Sequence, residues 1–175
     1  RIEGACASGG LAIMAALDAI AAGADIVLVA GVEVQTTVSA RQGGDFLARA
    51  SHYSRQRSID EFTFPALFGR RAKEYRAKYD VSAEQIDAVS VKAYGNANKN
   101  PLAHMKAVGL SGEQAATSPC FLSNEEFGSF VKLSDCSQVS DGASAILIVS
   151  EAGLAKLGKK KSAAAEIIGR GHSVS

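Results

Sequence analysis

Glu3-Gly4-Ala5-Cys6-Ala7-Ser8-Gly9-Gly10 leads directly into an alanine-rich run, Leu11 to Ala22, and then into Gly23-Ala24-Asp25 and Ile26-Val27-Leu28-Val29-Ala30. The run from Leu11 to Ala22 holds one charge, Asp18, and no proline, so it reads as a helix buried on most sides. Cys6 then stands at the N-terminus of that helix. A helix N-terminus presents unpaired N–H groups and a partial positive charge. Both favour a thiolate, which is the nucleophilic form of cysteine. The same N–H groups suit an oxyanion forming on a carbon bonded to that sulfur. The competing reading is a cysteine acting only as a small buried hydrophobe. Gly4, Gly9 and Gly10 weigh against it: each costs about 1 kcal/mol inside a helix. Such a cluster suggests close approach of another backbone or of a ligand.

The run Ile26 to Ala30 is β-branched, of strand length and apolar on both faces. That pattern suits a buried strand in a parallel sheet covered by helices, and helix, turn and strand together read as half of a βαβ unit. Composition agrees with a globular chain: of 175 residues, 47% are hydrophobic and 21% charged. A formal net charge of +1 gives no general attraction to nucleic acid or to a membrane surface. Cys6, Cys120 and Cys136 are odd in number and lack metal-ligand spacing, so neither a disulfide framework nor a metal site is expected. No apolar run approaches the roughly 20 residues of a membrane span. The first residue is Arg1, so the lack of a visible targeting signal carries little weight.

Three regions differ in character. Residues 1–40 are small and apolar and form the first core segment. Residues 41–132 are more polar and hold nearly all the aromatic residues, as expected of an insertion between core elements. Within it, Pro65 to Tyr79 reads as a helix with Leu67, Ala72 and Tyr75 or Tyr79 on one side and Arg70, Arg71, Lys73 and Arg76 elsewhere. Ser82-Ala83-Glu84-Gln85 matches a capping box opening a second helix, which Asn96 to Pro101 ends. Residues 99–132 show no clear period and read as loop. Residues 133–163 return to core character: Ser140-Asp141-Gly142-Ala143 is a turn signal, Ser144 to Val149 a second buried strand, and Glu151 to Leu157 a helix with Ser150 as N-cap. Lys159-Lys160-Lys161 reads as a solvated helix end, and Ala165 to Gly169 as the start of a further strand within a last segment, 164–175.

Two separated segments resemble one family. Glu3-Gly4-Ala5-Cys6-Ala7-Ser8-Gly9 is similar to the nucleophile motif of thiolases. Ser140-Asp141-Gly142-Ala143-Ser144-Ala145 is similar to the thiolase segment that returns from the inserted loop domain to the core. Between them, Phe68 to Tyr75 and Ser82 to Asp87 occupy the places of the loop-domain helices, in order and at similar spacing. Asp135-Cys136-Ser137 most resembles the sterol-carrier-protein type and its bacterial and archaeal relatives. The first motif alone is shared with ketoacyl synthases; the ordered set is more specific to thiolases.

The resemblance implies an α/β chain with part of a layered α/β/α/β/α fold: part of an N-terminal half, the inserted loop domain, and the start of a second half at 164–175. It implies a homodimer or homo-oligomer, coenzyme A and acyl-CoA as substrate partners, and no cofactor besides the coenzyme A thioester, which is the substrate. It makes Cys6 the nucleophile, taking an acyl group from a 3-ketoacyl-CoA or an acyl-CoA, with its own N–H in the oxyanion hole. By the same match Ser137 contacts the pantetheine arm, Arg70 and Arg71 lie where the loop domain approaches coenzyme A, and Phe68 lines a pocket. For the arginines a solvated basic face explains the sequence equally well, and for Phe68 core packing does. Asp141 reads as a turn organiser. The family's acid/base motifs, His-Glu-Ala-Phe or His-Asp-Cys-Phe and Cys-Gly-Gly, do not occur here. His52 and His104 read as surface residues and His172 as a strand residue of the second half, none as the catalytic base. The expected role is therefore the nucleophile-bearing portion of a longer or complementing assembly, acting in β-oxidation or in acetoacetyl-CoA formation. The alternatives are another condensing enzyme, of the ketoacyl synthase or hydroxymethylglutaryl-CoA synthase type, and a thiolase-like scaffold without turnover.

Overall fold

In the computed structural model of the protein, residues 1–173 are described. They are mixed α/β, as the resemblance implies, and fall into two compact units: residues 1–33 with 141–175, and residues 34–140. Val174 and Ser175, which close the segment expected to open a second half, lie outside the described residues.

The first unit is built on helix α1 (Ser8–Ala21), strand β1 (Ile26–Glu33), strand β2 (Gly142–Val149) and helix α7 (Glu151–Lys156). α1 ends where Gly23, at φ +105°, takes a backbone conformation that only glycine adopts freely. The chain then turns into β1. β1 and β2 pair along their whole length, from Ile26 opposite Val149 to Glu33 opposite Gly142. α1 packs against both strands and α7 against β2. Asp25 ties the base of this unit together. Its carbonyl accepts from Ser150 N–H at 3.0 Å, and its carboxylate accepts from Ser150 Oγ at 2.9 Å and pairs with Lys156. Ser150 Oγ in turn accepts from Gly153 N–H at 3.0 Å, so Ser150 is the N-cap of α7 as its position predicts.

The sheet corrects the parallel arrangement expected from the sequence: β1 and β2 are antiparallel. An apolar run specifies a buried strand but not the direction of its partner. Here the chain leaves β1 at Glu33 and re-enters at Gly142 running the opposite way. Nor are the strands covered on both faces. Val27 and Val29 are half-buried and Ile148 is buried, whereas Leu28 is 64% exposed and the residue opposite it, Leu147, 54%. α1 likewise is not buried on most sides; of its residues only Ala16 is buried, because the strands cover one face of the helix. Ala165 to Gly169 forms no strand, since no ladder partner lies beside it among the described residues. Instead Ile167 to His172 run along α1, and Arg170 reaches Asp18 and the Met14 carbonyl.

The second unit carries α2 (Ala40–Ala48), α3 (Tyr53–Gln56), α4 (Thr63–Tyr79), α5 (Ala83–Ala97) and α6 (Gly112–Ala116). α5 opens with the predicted capping box, Ser82 with Gln85. The same device at Ser111 and Gln114 opens α6, inside the stretch read as loop. α4 buries a different face from the expected Leu67, Ala72 and Tyr75: Thr63, Ala66 and Gly69 are its buried residues. Small residues win there because another backbone comes close. A Cβ on Gly69 would sit 2.9 Å from the Phe127 carbonyl oxygen. Asp60, 7% exposed, fixes the loop that makes this approach. Its carboxylate accepts from Phe62 N–H at 3.0 Å, Ser123 Oγ at 3.0 Å and Asn124 N–H at 2.9 Å. Burial raises its pKa, but these donors outweigh burial and leave it below the ordinary carboxylate value.

Gly153 gives the sharpest test of the first unit. A Cβ there would lie 2.0 Å from the Asp25 carbonyl oxygen. Alanine is the better helix former by about 1 kcal/mol, but displacing packed backbone costs about 1–3 kcal/mol. Gly153→Ala is expected to lower the urea midpoint. An unchanged or higher midpoint would mean that α7 does not pack on Asp25 this tightly.

Candidate active site

Cys6 lies in a single 3-10 turn, Ala5–Ala7, immediately before α1, and its side chain is exposed. The helix begins three residues earlier than the sequence suggests, so Gly9 and Gly10 belong to its first turn. Among the described residues, a Cβ on either would meet nothing within 4 Å. The close neighbour expected of these two glycines is thus not found among the described residues. Gly4 does have one: a Cβ there would fall 2.3 Å from Leu11 Cδ1.

The turn ahead of Cys6 is held by two side chains. Glu3 Oε1 accepts from Ala5 N–H at 2.8 Å and from Ser8 Oγ at 3.2 Å. Ser8 Oγ accepts from Gly4 N–H at 2.9 Å, and its single proton is shared between the Ala5 carbonyl oxygen, 2.7 Å away, and Glu3 Oε1. The Ala5 N–H first, and then the Ser8 hydroxyl, hold the Glu3 carboxyl below its ordinary pKa. An open groove of about 360 Å³ runs between α1 and residues 167–172, with Leu11, Met14 and Leu17 on one wall and Ile167 and His172 on the other; Ala7 lines it and Cys6 does not.

The other predicted residues belong to the second unit. Phe68, Arg70 and Arg71 are exposed on α4. The Arg71 guanidinium lies 5.4 Å from the centre of the Phe68 ring, and with Phe68 54% exposed, core packing does not account for it. The other three cations of this helix are engaged locally, Lys78 over the Tyr79 ring at 5.3 Å from its centre. Lys73 pairs with Glu126 at 2.7 Å. Arg76 donates to the Val81 carbonyl at 3.0 Å and stacks over Phe130. Ser137 is exposed and follows a firmly tied loop. Asp135 in that loop accepts from Ser90 Oγ of α5 at 2.8 Å and from Lys132 N–H at 2.9 Å. Lys132 Nζ pairs with Asp87 of α5 at 2.6 Å and donates to the Ala115 carbonyl at 3.1 Å. The two ties to α5, Ser90 to Asp135 and Asp87 to Lys132, were not foreseen from the sequence, because each joins residues 45 positions apart. Glu3 and Ser8 were within the motif but carried no assigned role.

The histidines are exposed. His52 Nδ1 lies 3.3 Å from Ser54 Oγ, and His104 Nδ1 is in hydrogen-bond contact with Ser140 Oγ. His172 lies at the end of the groove beside α1, not in a strand. Asp141 stands directly before β2.

The family described as Thiolase, N-terminal domain, matches residues 1–152. The chain belongs to the thiolase family. It is 35% identical over 149 residues to an acetyl-CoA acetyltransferase of Methanothermobacter thermautotrophicus, an alignment that covers 85% of this chain and 36% of that protein. It is 38% identical over 159 residues to an acetyl-CoA acetyltransferase of Methanocaldococcus jannaschii, covering 89% and 37%. It is 31% identical over 162 residues to the benzoylsuccinyl-CoA thiolase subunit BbsB of Thauera aromatica, covering 92% and 39%. The thiolase chain thus spans little more than a third of the length of these curated relatives.

The three thiols of this thiolase chain differ in accessibility. Cys6 and Cys120 are exposed, while Cys136 is half-buried. Burial, and then the Asp135 carboxylate, push the Cys136 thiol up. Peptide mapping after brief iodoacetamide treatment at pH 8 is expected to find Cys6 and Cys120 alkylated well before Cys136. Equal labelling of Cys136 would mean that its loop is open in solution.

Proposed function

We propose that this chain carries the nucleophile of a thiolase-type acyltransferase acting on coenzyme A thioesters. The observation that carries the reading is the exposed Cys6 at the head of α1, inside the family's motif. In the cleavage direction the Cys6 thiolate attacks the 3-keto carbon of a 3-ketoacyl-CoA. A carbon–sulfur bond forms, the bond between the α and β carbons breaks, and its electron pair leaves on the α carbon. That carbon takes a proton and departs as acetyl-CoA. The thiol of a second coenzyme A then attacks the acyl-cysteine, giving the shortened acyl-CoA and restoring Cys6. The condensation direction runs the same steps in reverse. The helix N-terminus suits the anionic sulfur and the oxyanion by its dipole and its first N–H groups.

Arg70 and Arg71 would meet the phosphates of coenzyme A, and Phe68 an apolar part of the ligand. Their exposure supports this, and so does the commitment of Lys73 and Arg76 to local contacts. Ser137 would contact the pantetheine arm from its tethered loop. The acid/base residues would come from sequence outside this chain. A homodimer or homo-oligomer and a place in β-oxidation or another branch of lipid metabolism complete the reading.

Incubation with acetoacetyl-CoA, followed by intact mass and peptide mapping, tests it. An acetyl group is expected on Cys6 and is expected to vanish in Cys6→Ala. An adduct that persists in the variant would defeat the assignment. Replacing both arginines, Arg70→Glu with Arg71→Glu, is expected to weaken coenzyme A binding about tenfold or more at low salt, with the difference shrinking as salt is added. Unchanged affinity would leave the pair as a solvated basic face.

A further inference from the structure

Ala5 has φ +50°, a left-handed conformation for a residue with a side chain, and it directly precedes Cys6. Such a conformation costs about 1–2 kcal/mol and persists only where its surroundings impose it. The surroundings here are two side chains. The Glu3 carboxylate takes the Ala5 N–H, and the Ser8 hydroxyl takes the Gly4 N–H and gives its proton to the Ala5 carbonyl or to Glu3. Both ends of the strained residue are thereby pinned, and Ser8 is itself the first residue of α1. A left-handed residue at position 5 breaks the helical curl just upstream of the sulfur. Cys6 is therefore held in the short 3-10 turn Ala5–Ala7 that leads into α1, ahead of the helix proper.

We propose that Glu3, acting with Ser8, is a positioning residue for Cys6: the two side chains form a clasp that holds Ala5 left-handed and so sets the sulfur at the head of α1. The proposal rests on the reading of Cys6 as the nucleophile. The clasp works through hydrogen-bond acceptance, so an amide at position 3 can replace the carboxylate. Because the left-handed turn is what it maintains, glycine at position 5 should make it dispensable.

Two readouts separate the clasp from the reading beneath it, both in the longest natural polypeptide that contains this chain. Acetylation of Cys6 by acetoacetyl-CoA requires thioester chemistry; alkylation of Cys6 by iodoacetamide does not. Native protein that is alkylated at Cys6 but never acetylated would defeat the acyl-transfer reading, and with it any catalytic meaning of the clasp. Where native protein is acetylated, Glu3→Ala is expected to slow acetylation about 10- to 100-fold, the loss that follows from a small misplacement of a reacting atom. The acetoacetyl-CoA concentration for half-maximal rate should stay near its native value. Glu3→Gln should remain close to the native rate, and Glu3→Ala combined with Ala5→Gly should recover most of the loss. A native rate in Glu3→Ala would overturn the proposal. So would a loss that neither the glutamine nor the glycine relieves, since that is the signature of general destabilisation. If Glu3→Ala does not fold, Ser8→Ala carries the same test: slowed and relieved by Ala5→Gly supports the clasp, and a native rate overturns it.

Discussion

The antiparallel ladder between Ile26–Glu33 and Gly142–Val149 closes the first unit across more than a hundred intervening residues, and the placement of Cys6 depends on it. α1 has no amphipathic stripe strong enough to hold it as an isolated helix. It is short, half of its apolar residues are alanine, and only Ala16 is buried. What orients it is the surface the paired strands provide. Asp25 then locks the end of that ladder to α7 through Ser150 and Lys156, by backbone and side chain together. The carboxylate meets two donors at once, and these, Lys156 before Ser150, keep it below the ordinary carboxylate value despite some desolvation. Exposed ion pairs contribute little individually. The N-cap and the close approach of Gly153 to the Asp25 carbonyl are therefore the more important part of this junction.

What was legible in the sequence was local. Ser82 with Gln85 and Ser150 ahead of Glu151 announce helix starts through a hydrogen bond spanning three residues, and both form as read. The α1 and β1 segments are likewise present. Strand direction was not legible, because Ile26 to Ala30 would look the same beside a parallel partner. The buried face of α4 was also misread. The side read from the sequence carries Leu67, Ala72 and Tyr75 or Tyr79, yet the buried residues are Thr63, Ala66 and Gly69, and Gly69 admits the Phe127 carbonyl. The ties of Lys132 and Asp135 to α5 leave no local trace at all. At the candidate site, Cys6 was legible because its neighbours form a motif. The hydrogen bonds of Glu3 and Ser8 were not, since they depend on one backbone angle at Ala5.

The Lys132–Asp87 pair shows how the second unit secures the loop ahead of Ser137. Both side chains are largely buried, and the lysine has a second acceptor in the Ala115 carbonyl. Removing either partner would strand a charge, at a cost of about 3–5 kcal/mol. The pair is consequently poor evidence for net stability but good evidence for a fixed register between α5, α6 and the loop ahead of Ser137. Ser137 itself is exposed, so rigidity is supplied from beneath while the hydroxyl stays accessible.

On the proposed reading of Cys6 as a nucleophile, a carboxylate three residues away is at first sight a poor choice, since a nearby negative charge opposes formation of a thiolate. The hydrogen bonds change the balance. Glu3 accepts from the Ala5 N–H and lies within hydrogen-bond reach of the Ser8 hydroxyl, and in water-exposed surroundings its charge is screened. Against that stands the geometric requirement: acyl transfer needs the sulfur within contact distance of a carbonyl carbon and aligned with it, and misplacement by an ångström can cost about two powers of ten in rate. Position therefore outweighs charge at this site. A neutral acceptor in place of Glu3 would keep the geometry, so in the proposed clasp Glu3 acts as a hydrogen-bond acceptor for a strained turn.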